Sequence, residues 1–410
     1  MNQKKLTVPE EVGFSSEHLK YIDEVMERAI DEKVMKGMVT LVARHGKIVQ
    51  YKAYGEARDG EPMTRDHIFR LASMSKPIGA VALLQLFDQG KVMPSDPLSD
   101  YIPAFANSKV ALADENGEIS LVDPIRPVTV HDILTMEAGI VAIRALGEED
   151  QASKYCAKLY EEAGIIDTMH ALDTTIEDMV DRLAGLPFAS QPGSRWYYSN
   201  LSSIVGGRIV EIVTGQNIND YIKEHIFEPL GMTETSFYPE EALWNRIPAV
   251  YEVGSMRRLD ELDVMGTDDT RLPFGPARSY FSVAAGLSGT VMDYFHFAQM
   301  LCDHGSYHGN RILSPNAVKL LSTNHIREQR TNLYGHAWGY MVNVQEDYNT
   351  MFNYMGLGSY GWHGYWGSVF NVWPEKDVVA IFISQVSPVL PSWKIQERFL
   401  NVVANAIIDP

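Results

Sequence analysis

Cysteine is nearly missing from this 410-residue chain: Cys156 and Cys302 are its only two. They allow at most one bridge, so no disulfide framework exists, and the expectation is a reduced, cytoplasmic setting. Long apolar runs are missing too, none approaching the ~18 residues that a membrane span needs. The N-terminal stretch Met1 to Glu11 starts basic but lacks the roughly 7–15 apolar residues of an export signal. Positive charge is scarce, with 35 Lys and Arg against 53 Asp and Glu and a formal net charge of −18. A surface of that sign repels phosphate backbones and anionic headgroups, so neither nucleic acid nor a membrane is an expected partner. Internal repeats and low-complexity tracts are absent. So is G-x-S-x-G, the nucleophile elbow of the α/β-hydrolases, which removes a common esterase fold.

What remains is ordinary globular material, 45% hydrophobic and 21% charged, with 31 Gly and 20 Pro. The length suits two or three domains, or one large core carrying an inserted second layer. Apolar residues Leu19, Ile22, Val25, Met26, Ala29 and Ile30 recur at helical spacing and predict an amphipathic helix over 16–36. Two strand-like runs, Met38 to Arg44 and Lys47 to Tyr54, flank His45-Gly46, a hairpin signal with His45 as a solvated turn residue. A second helix surrounds Ala80 to Leu86. From about 95 to 275 the pattern is mostly helical, with a hairpin turn at Asp114 to Glu118 and an acidic helical stretch near 144–183. Strand runs return at 337–344, 366–374 and 377–384, the last two joined tightly by Pro374-Glu375-Lys376-Asp377. A final helix covers about 391–408. Strands at both ends with helices between predict an α/β (α+β) fold, one mixed sheet built from both termini around an inserted helical part. The expected division is 1–80 with 280–410, against 81–279.

Three short stretches carry chemistry. In Arg70-Leu71-Ala72-Ser73-Met74-Ser75-Lys76-Pro77, Pro77 forces a helix to begin close to Ser73. Ser73 and Lys76 then share one helical face, so hydroxyl and amine can meet. A serine is a weak nucleophile until a neighbouring base takes its proton. S-x-x-K alone is a common spacing. The second stretch is Trp196-Tyr197-Tyr198-Ser199-Asn200, after Pro192-Gly193-Ser194. Tyr198 and Asn200, two apart on an extended loop, point the same way and can offer a phenol and an amide to a cleft. The alternative is an aromatic loop packed on the core, the role expected of Tyr197. The third is Gly361-Trp362-His363-Gly364-Tyr365-Trp366-Gly367, just before a strand, whose glycines let the backbone approach a substrate closely. Gly356-x-Gly358-x-x-Gly361 matches a dinucleotide fingerprint by letter only, since no helix follows.

Taken together and in this order, the three stretches resemble the serine β-lactamase-like superfamily, whose members carry S-x-x-K, Y-x-N and a K-T-G-type strand. The likeness is to class C β-lactamases and family VIII carboxylesterases in particular, and it spans nearly the whole chain. Phe69 to Ser73, Val128 to Thr135, Pro229 to Met232, Ala285-Gly286-Leu287 and Arg311 to Pro315 all look like landmarks of that group. The resemblance implies that Ser73 is acylated, that Lys76 and Tyr198 shuttle its proton, and that Asn200 bonds substrate and Lys76. It places Trp362-His363-Gly364 where relatives have K-T-G and makes the backbone amides of Ser73 and Tyr365 the oxyanion hole.

The chain departs from the lactamase pattern at Trp362 and His363, which replace the lysine and hydroxyl residue that hold a β-lactam carboxylate. A tryptophan there looks like family VIII esterases, although His363 is unusual even among them. It either lines the acyl or alcohol pocket, bonds the substrate, or is a strand histidine satisfied by its neighbours. Cys302, His304 and His308 have only loosely metal-like spacing. The expected function is therefore serine hydrolysis of small carboxylic esters with no cofactor or metal, the aromatics Tyr197, Trp362, Tyr365 and Trp366 suggesting an apolar pocket. An amide-bond hydrolase of the same fold and acyl transfer to another acceptor are the alternatives. The expected partner is a small ester or amide; oligomeric state stays open.

Overall fold

The structure, a computed structural model, describes residues 6–142, 150–165, 174–256, 279–326, 337–347, 355–387 and 389–409, with side chains from Trp393 in the last segment. Parts of the acidic stretch 144–183 and of the loop near 240–280 lie outside the described residues. The first helix, α1 (Ser16–Asp31), is capped by the Ser15 hydroxyl, which accepts from the His18 amide. It ends five residues earlier than its periodicity suggests, Lys33 being left-handed at φ 54°. Then come β1 (Gly37–Arg44), β2 (Lys47–Arg58) and β3 (Glu61–Pro62). His45 makes the predicted turn but is not merely solvated, since its Nδ1 lies 2.8 Å from an Asp377 carboxylate oxygen. Near the other terminus lie β4 (Ala337–Trp338), β5 (Asn343–Val344), β6 (Tyr360–Gly364), β7 (Ser368–Trp373) and β8 (Val378–Ser384). All eight form one antiparallel sheet in the order β4-β5-β6-β7-β8-β1-β2-β3.

Pairing of β1 with β8, Met38 against Ser384 through Arg44 against Val378, joins the two ends of the chain. The expected sheet built from both termini is therefore present. Its period-two pattern explains why it is covered on both faces. Val39, Leu41 and Ala43, with Val379, Ile381 and Ile383, face the larger core, to which α2 (Ser75–Asp88), α3 (Asn200–Thr214) and α4 (Val291–Cys302) contribute. On the other face Met38 and Val42, with Val378, Ala380 and Phe382, pack against α1 and the last helix, α5 (Val389–Asn405). Each of the larger of these side chains, the Val, Leu, Ile, Met and Phe, stabilises the fold by roughly 1.5–3 kcal/mol when fully buried.

Two expectations shift. The run 337–344 is two short strands, not one, with the left-handed Met341 between them. The third motif does precede a strand, β7 starting at Ser368, but its first four residues, Gly361 to Gly364, are themselves strand, the end of β6 between β5 and β7. Between the sheet segments most of the described regular elements are helices, and the Asp114–Glu118 turn closes a hairpin of Val110–Ala113 with Ile119–Val122. Among the described residues no helix is long and apolar enough to cross a membrane.

Candidate active site

Ser73 sits in a tight turn, Ala72–Met74, wedged between a short strand and α2. The strand Phe69–Arg70 pairs antiparallel with Ser288–Gly289. The Leu71 amide donates to the Leu287 carbonyl at 2.9 Å. Gln385 clamps the same point, accepting from the Arg70 amide at 3.3 Å and donating to its carbonyl at 3.2 Å. Ala72 is fully buried yet left-handed, φ 48°, a conformation costing a non-glycine residue on the order of 1–3 kcal/mol. The clamps on Arg70 and Leu71, directly before it, hold that strain in place. Pro77 is the third residue of α2, where its missing N–H leaves no helical bond unmade.

Lys76 is fully buried and its amine is surrounded by acceptors. Nζ donates to Ser73 Oγ at 3.0 Å, to Asn200 Oδ1 at 2.6 Å and to the Ala284 carbonyl at 2.9 Å. Ser73 and Lys76 are thus brought together with Asn200, which is 124 positions from Lys76 in the chain. Asn200 is the first residue of α3, not a loop residue; extended Ser199 precedes it and the helix start aims its amide. Tyr198 comes from the loop before α3. Lys76 Nζ lies 4.8 Å from the centre of its ring.

Trp362, on β6, reaches the same group. Its indole Nε1 donates to the Tyr198 hydroxyl at 3.2 Å, and its ring packs on Tyr198 at 5.5 Å and on Trp338 at 4.5 Å between centres. Gly364 answers a steric need: a Cβ there would stand 2.6 Å from the Leu71 carbonyl oxygen, so only glycine lets β6 lie against the turn that carries Ser73. Tyr365 and Trp366 pack in one small cluster with Ala72, Val250 and Ala285. His363 points off toward α5, its Nδ1 2.8 Å from Gln396 Oε1.

The four aromatics expected around an apolar pocket divide. Trp362 borders Tyr198, whereas Tyr197 is 6% exposed with its hydroxyl donating to Asp150 at 3.0 Å, and Trp366 is 2% exposed. The latter two are packing residues. Two contributors escaped sequence reasoning. The Ala284 carbonyl carries no side-chain signature, although it adjoins the Ala285-Gly286-Leu287 landmark. Gln396 lies on a helix with nothing to mark it among other polar residues.

Over residues 22–404 the chain matches a family described as Beta-lactamase. It is 32% identical over 284 residues to esterase EstB of Burkholderia gladioli, covering 66% of this chain and 67% of that protein. With a putative D-alanyl-D-alanine carboxypeptidase of Escherichia coli strain K12 it shares 26% identity over 399 residues, 92% of this chain and 84% of that one. Among solved structures it resembles EstCE1, described as a hydrolase with promiscuous acyltransferase activity. There the TM-score is 0.77 at 25% identity, over 94% of this chain and 99% of that one.

Proposed function

Because this chain belongs to the Beta-lactamase family and is a serine hydrolase of carboxylesterase type, we propose that it cleaves small carboxylic esters through an acyl-enzyme on Ser73. The observation that carries this reading is the 3.0 Å contact between Ser73 Oγ and a fully buried Lys76 Nζ. Three oxygens stand around Nζ, and a neutral amine meets them with two protons and one lone pair. Two of them, the Asn200 and Ala284 oxygens, only accept. The Ser73 hydroxyl both donates and accepts, so it is the contact through which a proton can change sides.

Attack begins with Lys76 as the neutral amine: its lone pair takes the Ser73 proton as Oγ bonds to the ester carbonyl carbon, and the resulting ammonium passes a proton on to Tyr198 as Tyr198 gives up its own. The amides of Ser73 and Tyr365 take the developing oxyanion, a contribution of about 2.7–4 kcal/mol per donor. Support for that pair is the approach of Gly364 to Leu71 and the shared packing of Ala72 with Tyr365. Tyr198 then returns the proton to the departing alkoxide, giving the alcohol. Water adds to the acyl carbonyl with its proton going the same way, and collapse frees the acid and Ser73. No cofactor or metal enters this scheme. Where β-lactam recognition wants a cation, Trp362 supplies an uncharged indole, which favours esters. The reading keeps the two-part organisation, 1–80 with 280–410 and 81–279, with the site at their seam. Lys76 bonds to Asn200 from one part and Ala284 from the other. Two free, buried cysteines suit a cytoplasmic setting.

The likeness to EstCE1 favours one second reading, in which an acceptor alcohol replaces water in the last step. The test is turnover of a short-chain p-nitrophenyl ester beside a chromogenic cephalosporin, with wild type and Ser73→Ala. Ester cleavage lost in the variant, with little cephalosporin turnover, is expected. Fast cephalosporin hydrolysis overturns the ester preference; full ester activity in Ser73→Ala overturns the nucleophile. Adding a primary alcohol and measuring the new ester separates transfer from hydrolysis.

A further inference from the structure

Four aromatic rings form a closed circuit that includes Tyr198. Between ring centres, Tyr198 lies 5.5 Å from Trp362, Trp362 lies 4.5 Å from Trp338, and Trp338 lies 5.4 Å from Trp196. Trp196 returns to Tyr198 at 6.0 Å. Both contacts of Trp338 are edge-to-face, at 82° to Trp362 and 73° to Trp196, an arrangement that ring quadrupoles favour. Three stretches of chain meet here: the loop before α3, β4 and β6. The three indoles are buried, Trp338 completely, whereas Tyr198 is half-buried. Their N–H groups differ. That of Trp362 donates to the Tyr198 hydroxyl at 3.2 Å, while those of Trp196 and Trp338 are buried without an acceptor among the described residues. A phenylalanine in either place would carry no such unpaired donor, whose burial is a cost. What Trp196 and Trp338 contribute is therefore the area and outline of an indole.

We propose that Trp338 is a positioning residue for the reaction. It acts through Trp362, blocking the other rotamers of that indole so that its N–H meets Tyr198 Oη, and thereby fixes the hydroxyl that protonates the departing alkoxide. The ring partners of Trp338 are Trp362 and Trp196, not Tyr198 itself. Trp196 closes the circuit from the other side and bears on Tyr198 directly. The proposal rests on the serine-hydrolase reading and deepens it. Lys76 Nζ stands 4.8 Å from the centre of the Tyr198 ring, so a ring held by the circuit keeps its place relative to both the amine and the leaving group.

A double-mutant cycle on two substrates, ethyl butyrate and p-nitrophenyl butyrate, tests it. Ethoxide needs a proton as it departs, whereas p-nitrophenolate is a weak base and leaves without one. Trp338→Phe keeps a ring but opens a gap beside Trp362. It should lower kcat/KM for the ethyl ester by about tenfold and for the p-nitrophenyl ester by less than about threefold. In a Trp362→Phe background no indole N–H is left to position. There the same change should alter the ethyl-ester value by less than about twofold. No loss, equal losses on the two esters, or an effect undiminished beside Trp362→Phe overturns the proposal and leaves Trp338 a packing residue. Should Trp338→Phe fail to fold by circular dichroism, Trp196→Phe carries the test. Its ethyl-ester loss should exceed its p-nitrophenyl-ester loss by at least about threefold, and equal losses overturn the role of the circuit. A Ser73→Ala variant still cleaving both esters would instead sink the underlying reaction.

Discussion

At the residue scale, the site depends on groups that have one partner arrangement and no alternative. Trp362 illustrates it: the indole N–H is the donor seen on Tyr198 Oη, and the ring is wedged between Tyr198 and Trp338. Trp362→Phe should keep the packing and remove the donor. On the proposed scheme the expected result is a fall of about tenfold in kcat with a smaller change in KM, because the lost bond would matter most as charge develops on Tyr198. Steady-state ester kinetics beside an unchanged thermal midpoint would check it; an unchanged kcat would remove Trp362 from the proton path. The serine, lysine, tyrosine and asparagine of this network were all legible as letters, since each motif pairs residue types that chemistry needs together. The Ala284 carbonyl was not, because any residue supplies a backbone oxygen.

At the element scale, two caps hold short helices in place. Thr129 and Asp132 form a reciprocal capping box on the helix Val130–Leu134, and the Asp132 carboxylate also takes Arg126 through two bonds of 2.6 and 2.8 Å. Asp132 is fully buried. Asp132→Ala removes cap and ion pair at once and should cost about 2–4 kcal/mol, read from urea or guanidinium unfolding. The start of α4 behaves differently. Asp293 accepts from Thr235 Oγ1 at 2.9 Å and from the Glu234 amide at 2.8 Å, but burial is the larger influence and raises its pKa to about 6. A carboxyl raised in the folded state binds its proton more tightly there than when unfolded. Its contribution to stability is therefore full below about pH 4 and is lost as pH rises to 6, on the order of 3 kcal/mol. Unfolding midpoints from pH 4 to 7 should show wild type losing ground to Asp293→Asn across that window. A pH-independent difference between the two would contradict the shifted carboxyl. Helix and strand existence was readable from periodicity, but the limits were not. α1 stops at Asp31, before a left-handed Lys33, and the first four residues of the third motif lie in β6, because neighbours on both sides impose pairing on a glycine-rich run.

For the whole molecule, the sheet closes only when residues some 340 positions apart pair, as Met38 does with Ser384. The last helix seals the outer face: Phe399 is fully buried, its ring 6.0 Å from that of Phe382. Phe399→Ala should destabilise the protein by about 3–5 kcal/mol, measured by denaturant unfolding. A cost below about 1 kcal/mol would mean that α5 is not part of the core. Charge acts at the same scale. A net charge of −18 repels anionic substrates over distances that salt screens, near 10 Å at 0.1 M. Raising ionic strength should therefore increase kcat/KM for an ester with a free carboxylate and leave a neutral ester nearly unaffected. Equal responses of the two would assign the effect elsewhere.

By itself the sequence determined which chemistry is available: a serine three residues from a lysine, a tyrosine two from an asparagine, and a tryptophan and histidine between two glycines. It also determined that strands at both ends enclose helices, because hydrophobic spacing is a local property of the chain. Only the tertiary structure decided what those groups do to one another. It put Lys76 among three acceptors, laid Trp362 on Tyr198, and gave His363 a buried glutamine from the final helix. The physical reason is that hydrogen bonds of this kind join residues far apart in the chain. Their geometry is set by the packing of sheet against helix, which no local pattern encodes.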